Sequence, residues 1–319
     1  MLTSLTGEYR IAAPVSNGDI LEFRIIGDAA EAVLDDEITY KSPKEFLFPQ
    51  AEKLMSFNGS GEVIDESQAP KTVIFGVKPC DLGALKVLAA VFTRGRFEDE
   101  GFKKRLENTV LVGVGCLAEK PGCFCGERGV QKDFSADCDL FLCDRGDCYS
   151  VEHFNEKGKR ILEAAGIETA GLQHPRQRKA QEADNASLLE INADENDLFD
   201  KVNWERIPEK CLGCGTCTYI CPTCHCFEFR DVCDKGVSTR YRCWDSCMYP
   251  KFTLHASGHN PRASKVERYR QRIMHKYLYV RQNFGYTACT GCGRCIRSCP
   301  AGMNIRTVVS DIIRTLEQS

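Results

Sequence analysis

Residues 211–222 read CLGCGTCTYICP and residues 289–300 read CTGCGRCIRSCP. Each is a C-x2-C-x2-C-x3-C-P run, the spacing that holds a [4Fe–4S] cluster. Three cysteines at i, i+3 and i+6 wrap three corners of a cubane, because a tight loop turns their side chains toward one centre. Gly213, Gly215, Gly291 and Gly293 supply the permissive backbone that such loops need. When two of these runs fold as one unit, the fourth cysteine of each ligates the other cluster. The expected sets are therefore crossed: Cys211, Cys214, Cys217 and Cys299 for one cluster, and Cys289, Cys292, Cys295 and Cys221 for the other. Zinc favours paired C-x2-C knuckles with four ligands in all, and two runs of four fit it poorly.

Around these runs the chain divides by composition. Thirteen of the 20 cysteines follow residue 200, which puts a boundary near 195–205. The expected fold is an α/β N-terminal domain over 1–200, joined to an α+β two-cluster ferredoxin-like domain over 201–319 with a long insertion. At 319 residues the chain is long enough for two cores. Its net charge of −3 gives no general attraction to nucleic acid. No apolar run approaches the roughly 18 residues of a membrane span, and the N-terminus lacks the pattern of a secretory signal. Many cysteines without such a signal point to a reducing, cytoplasmic compartment and to metal or redox chemistry, not a disulfide framework.

In the N-terminal part, TVIFGV (72–77) and TVLVGV (109–114) read as buried strands, and DLGALKVLAAVF (81–92) between them as a helix. Strand, helix, strand at this spacing is a βαβ unit with parallel strands. Residues 140–143 and 148–154 read as a hairpin turning at Arg145-Gly146. The polar stretch from Pro175 to about Asn203 reads as one or two docked helices, on the strength of Leu188, Leu189, Ile191, Leu198, Phe199, Val202 and Trp204, with a mobile linker as the alternative. Helices are also expected over 263–280 and 304–316.

A second set of cysteines lies where the βαβ unit places ligands. Cys80 follows the first strand and Cys116 the second, with Cys123 and Cys125 close behind. Parallel strands end on one edge of the sheet, where α/β folds bind their ligands. Two readings stay open: four thiolates holding a third [4Fe–4S] cluster, or small buried residues and a cysteine-lined loop. Inside the insertion, Cys224, Cys226, Cys243 and Cys247 form a further candidate metal set, against packing around the clusters as the plainer role. Cys138, Cys143, Cys148 and Cys233 have no clear companions, and His225, His255, His259 and His275 have no catalytic spacing. The basic stretch 261–281 either offsets cluster charge, docks an acidic partner or is a solvated face. No P-loop appears. Gly113 and Gly115 begin a dinucleotide-type pattern that Ala118 breaks. No nucleophile–base arrangement stands out, so no catalytic site of the chain's own is expected.

The segments CLGCGTCTYICPTCHCFEF (211–229), RYRCWDSCMYPKFTLHASGHNPR (240–262), FGVKPCDLGAL (75–85) and GVGCLAEKPGCFC (113–125) together resemble one family. It holds the beta subunits of soluble sulfhydrogenase-type [NiFe] hydrogenases and the A subunit of anaerobic sulfite reductase. The resemblance runs from about residue 70 to the C-terminus. It implies an electron conduit in a hetero-oligomeric complex, between an FAD- and NAD(P)H-binding partner subunit and a terminal redox enzyme. The alternative is a catalytic subunit whose N-terminal domain itself binds flavin or a substrate.

Overall fold

A computed structural model of the chain describes residues 1–35, 37–60, 62–65, 67–167 and 189–318. Leu188 and the polar stretch from Pro175 up to it lie outside the described residues. Among those described are the strands β1 (Arg10–Asn17), β2 (Ile20–Ile26), β3 (Ala51–Phe57), β4 (Val63–Asp65), β5 (Thr72–Val77), β6 (Thr109–Val114), β7 (Leu140–Asp144), β8 (Tyr149–His153), β9 (Phe227–Asp234) and β10 (Val237–Trp244). The chain is a mixed α/β protein that divides into two compact units. One comprises the described residues of 1–43, 69–188 and 290–293; the other comprises those of 44–68, 189–289 and 294–319.

The first unit is built on a six-stranded sheet in the order β2-β1-β5-β6-β7-β8. Its inner strands β1, β5, β6 and β7 run parallel, and β2 and β8 close the edges antiparallel. Every residue of β5 and β6 is buried, as expected for parallel strands covered on both faces, where the sequence reads as an unbroken apolar run. Helix Pro79–Thr93 connects them, started by a proline at its first position, where the missing N–H costs nothing. The βαβ unit and the β7–β8 hairpin stand where the sequence puts them. The core gathers Ile11, Val73, Phe75, Val112, Leu140 and Leu162.

The second unit carries a four-stranded antiparallel sheet, β4-β3-β10-β9. β9 and β10 meet at a two-residue turn in which Lys235 and Gly236 both have positive φ, the geometry that matches the twist of a hairpin. β3 pairs with β10 although Glu52 and its partner Arg242 stand far apart in the sequence. Between them Arg242 and Glu52 form a buried ion pair at 2.5 Å, with the guanidinium also facing the rings of Phe48 and Phe227. The expected helix at 263–280 is present as Lys265–Met274, then a π-helical turn His275–Tyr279, then Val280–Phe284. Gly285, with φ 79°, ends it. The expected C-terminal helix spans Ile305–Glu317, and within the stretch read as bridging helices Glu195–Lys201 is helical.

Candidate metal centres

In the second unit, Cys211, Cys214, Cys217 and Cys299 line one cavity of about 480 Å³. Cys295, Tyr269, Arg272, Met248 and Met303 border it too. The loop that presents the first three cysteines turns through Gly213 and Gly215, both at positive φ. At Gly215 a Cβ would come within 2.8 Å of the Tyr249 ring, so the ring occupies the space a side chain would need. The loop is braced from behind by the WDSC segment. Thr218 donates to Gly215 O at 2.6 Å and meets Ser246 at 2.7 Å, while Tyr249 donates to Cys214 O at 3.3 Å. Trp244 in turn donates to Phe48 O. Backbone amides already point at sulfur: Gly213 N–H at Cys211, and Met303 N–H at Cys299. The Thr216 hydroxyl and amide lower the pKa of Cys214, whereas burial raises that of Cys217.

The cavity also has a buried cation, whose guanidinium lies 5.8 Å from the Tyr269 ring centre. Arg272 is only 3% exposed, lines the cavity, and its Nε has no hydrogen-bond partner. A buried guanidinium is costly unless it faces an anion. Four thiolates on an iron–sulfur group would supply that anion, so the residues present fit a [4Fe–4S] cluster.

Of the second crossed set, Cys221, Cys289 and Cys295 lie near one another in the same unit. Lys276, 3% exposed, donates to Cys221 Sγ at 3.1 Å. The Cys224 thiol bonded to Cys221, together with the Lys276 charge, holds Cys221 well below the usual thiol range. Burial pushes Cys295 up to about 12. Lys44 reaches the same loop, its ammonium donating to the carbonyls of Cys221 and Cys224 at 2.9 Å each and lying 4.0 Å from the Trp244 ring centre. Cys292 is carried by the turn 290–293, which groups with the first unit.

That unit brings the other candidate set together. Cys80, Cys116, Cys123 and Cys125 line one cavity of about 300 Å³, with Lys120 and Lys132 at its border. Cys80 is the second residue of the helix that leaves β5, and Cys116 lies just past β6. Both therefore stand at the C-terminal edge of parallel strands. The loop after Cys116 returns through Cys123 and Cys125, fixed by Cys116 N–H to Lys132 O at 2.7 Å and Val130 N–H to Cys125 O at 3.0 Å. Burial pushes Cys125 up to about 11. Cys80 and Cys125 pack directly on Cys292, and Cys123 Sγ donates to Cys292 O at 3.4 Å. The turn carrying Cys292 is docked by Phe124 N–H to Gly291 O at 2.8 Å. Gly291 has φ 68°, and a Cβ there would lie 2.6 Å from backbone atoms of Phe124 and Cys125. Only glycine permits that approach.

The insertion cysteines are free thiols: Cys224 is hydrogen-bonded to Cys221 and Cys226 to Cys247, while Cys243 stands on β10 opposite Glu228. Among the described residues no three His, Cys, Asp or Glu side chains are gathered as a site for a single metal ion. His225 and His275 are half-buried with their tilted rings 5.3 Å apart, and desolvation lowers their pKa values to about 4 and about 3. The basic stretch divides. Arg268, Arg272 and Lys276, spaced by four, are buried, whereas Arg270 lies over Phe199 and Arg281 bonds Ile191 O. Lys44 has no counterpart in the sequence reading: it lies far upstream, in no motif. The spacing by four of Arg268, Arg272 and Lys276 was the one available signal for a buried cationic face.

Residues 210–303 match the family described as a 4Fe-4S dicluster domain. Across 317 residues, 95% of the chain, the sequence is 31% identical to the sulfhydrogenase 2 subunit beta of Pyrococcus furiosus, covering 92% of that protein. No solved structure matches the chain.

Proposed function

The chain belongs to the sulfhydrogenase beta-subunit family, and from that premise we propose that it relays electrons between an FAD- and NAD(P)H-binding subunit and a terminal redox subunit. An iron–sulfur electron-transfer role follows from the family and the dicluster domain; the two partners and the ligand assignment are the proposal. The observation that carries it is the meeting of Cys299 with Cys211, Cys214 and Cys217 on one cavity beside the buried Arg272. Crossed ligation requires that meeting of two distant motifs. These four would hold one cluster, and Cys289, Cys292, Cys295 and Cys221 the other. Cys80, Cys116, Cys123 and Cys125, which line one cavity, would hold a third. A bound [4Fe–4S] group takes up and returns one electron at a time. The chain's own part is to fix the thiolates, border their cavity with Tyr269, Met248 and Met303, and set the local charge with Arg272, Lys276 and Lys44.

No helix among the described residues is long and apolar enough to cross a membrane. A cytoplasmic setting belongs to the proposal on the ground of its many free thiols.

Anaerobic purification with its neighbours tests the reading. The chain is expected to co-purify with a flavin subunit and to be reduced by NAD(P)H only in that subunit's presence. Iron near twelve per chain supports three clusters and iron near eight supports two. A second reading, a catalytic subunit, draws on another cavity of about 720 Å³ past the C-terminal ends of β6 and β7, bordered by Lys78, Asp133, Asp144, Arg145 and Tyr149. Flavin retained by the isolated chain, or NAD(P)H turnover without partners, would favour it.

A further inference from the structure

Lys276 lies in the π-helical turn His275–Tyr279. Such a turn closes i→i+5 bonds in place of i→i+4 and is frequent at functional sites. The Lys276 carbonyl accepts the Ala288 amide at 2.7 Å. The side chain of the same residue then returns to the same partner: Nζ donates to Ala288 O at 3.1 Å, to Thr223 Oγ1 at 3.1 Å and to Cys221 Sγ at 3.1 Å. An ammonium has three N–H groups, and here each has an acceptor. Its orientation is therefore fixed. Thr223 closes the arrangement by donating to Ala288 O at 2.7 Å. Ala288 immediately precedes Cys289, so one residue ties the start of the second motif to Cys221, the last cysteine of the first.

Of the three acceptors on Nζ, only the sulfur can carry a negative charge. Lys276 is 3% exposed, and burial of a cation costs several kcal/mol unless it faces an anion. Thiolate ligation would make the Cys221 sulfur that anion. Hydrogen bonds to cluster sulfurs and local charge are what set a cluster's potential. Reduction adds a negative charge that a fixed neighbouring cation stabilises.

We propose that Lys276 is a positioning residue that clamps Cys221 to the Ala288–Cys289 segment and raises the reduction potential of the cluster that Cys221 ligates. The proposal rests on the electron-carrier reading above and deepens it by distinguishing the clusters energetically. It gives the Cys221-ligated cluster a higher potential than it would have without this cation, while Arg272 is the cation beside the other cluster of the ferredoxin pair.

The test is a redox titration of the full-length, iron-replete chain followed by electron paramagnetic resonance, with iron counted in each variant. In Lys276→Met, one cluster is expected to show at least a tenfold lower ratio of reduced to oxidised form at a fixed solution potential. That corresponds to about 59 mV downward for a one-electron couple. The other clusters should hold their potentials, and Lys276→Arg should recover most of the loss. Full iron with unmoved potentials in Lys276→Met overturns the proposal, as does an equal shift of every cluster. Should Lys276→Met lose iron, Lys276→Gln, which keeps donors without the charge, is read in the same way. Loss of iron in both neutral variants makes Lys276 a residue of assembly alone and overturns the tuning. Failure of the carrier reading looks different: the wild-type chain itself would then hold no reducible cluster.

Discussion

The pairing of Glu52 with Arg242 joins two strands that lie far apart in sequence, and both side chains are almost wholly shielded from water. Truncating one partner leaves the other charge buried and unanswered, which costs about 3–5 kcal/mol. Glu52→Ala is therefore expected to lower the unfolding free energy by that amount, seen as a lower guanidinium midpoint at unchanged slope, measured on the iron-loaded chain. Cys299 is tied to one cavity in the same way. Cys299→Ser should remove about four irons per chain and leave the remainder; full iron in that variant would contradict the crossed assignment. At this scale the cysteines were legible because ligand spacing is local and written into the sequence. The cations were not. Lys44 reaches the carbonyls of Cys221 and Cys224 only through the tertiary fold. Lys276 is set apart from Arg270, which lies on a phenylalanine ring, only by its spacing of four from Arg272 and Arg268, and spacing alone does not say what that face meets.

Among the elements, the helix Lys265–Met274 begins with a capping box, in which Ser264 accepts the Glu267 amide and Glu267 accepts the Ser264 amide. Losing such a cap costs about 1 kcal/mol. Ser264→Ala should therefore cause a modest drop in stability, read from urea unfolding. Farther along the same rod, His275 titrates near pH 3, lowered first by burial and then by His225. The unfolded chain, with an ordinary histidine near 6.5, binds the extra proton first. The associated stability is present above about pH 6.5 and is lost as pH falls toward 3. His275→Gln should flatten the pH dependence of the unfolding midpoint between pH 6.5 and 4; an unchanged slope would refute this. Elements held by local pattern were readable: β5, β6, the helix between them and the β7–β8 hairpin all follow from apolar runs and turn residues. β3, β4, β9 and β10 were missed, because their side chains are half-exposed or exposed along much of their length. The β3–β10 pairing rests on contacts across some 190 residues, which no window of sequence contains.

For the whole molecule, the third cysteine set carries the prediction with the widest reach. Cys80→Ser should lower iron by about four per chain and leave the two ferredoxin motifs loaded; iron unaltered by the change would reduce Cys80 to packing. What sequence reading established here was that Cys80 and Cys116 share a sheet edge, a consequence of parallel strands. The seating of Cys292 on Cys80 and Cys125 lay beyond it, because the backbone approach at Gly291 becomes visible only in three dimensions. That seating also governs the timing of synthesis. The turn 290–293 belongs to a unit whose other residues emerge from the ribosome well before it. Contacts closed over such long separations form late. All the residues that line the cysteine cavity precede residue 133, but Cys80 and Cys125 gain the packing of Cys292 only once the turn 290–293 has been made. If the third set holds iron, a chain stalled before residue 290, which lacks the turn that packs Cys292 on Cys80 and Cys125, should hold it less tightly than the full-length protein.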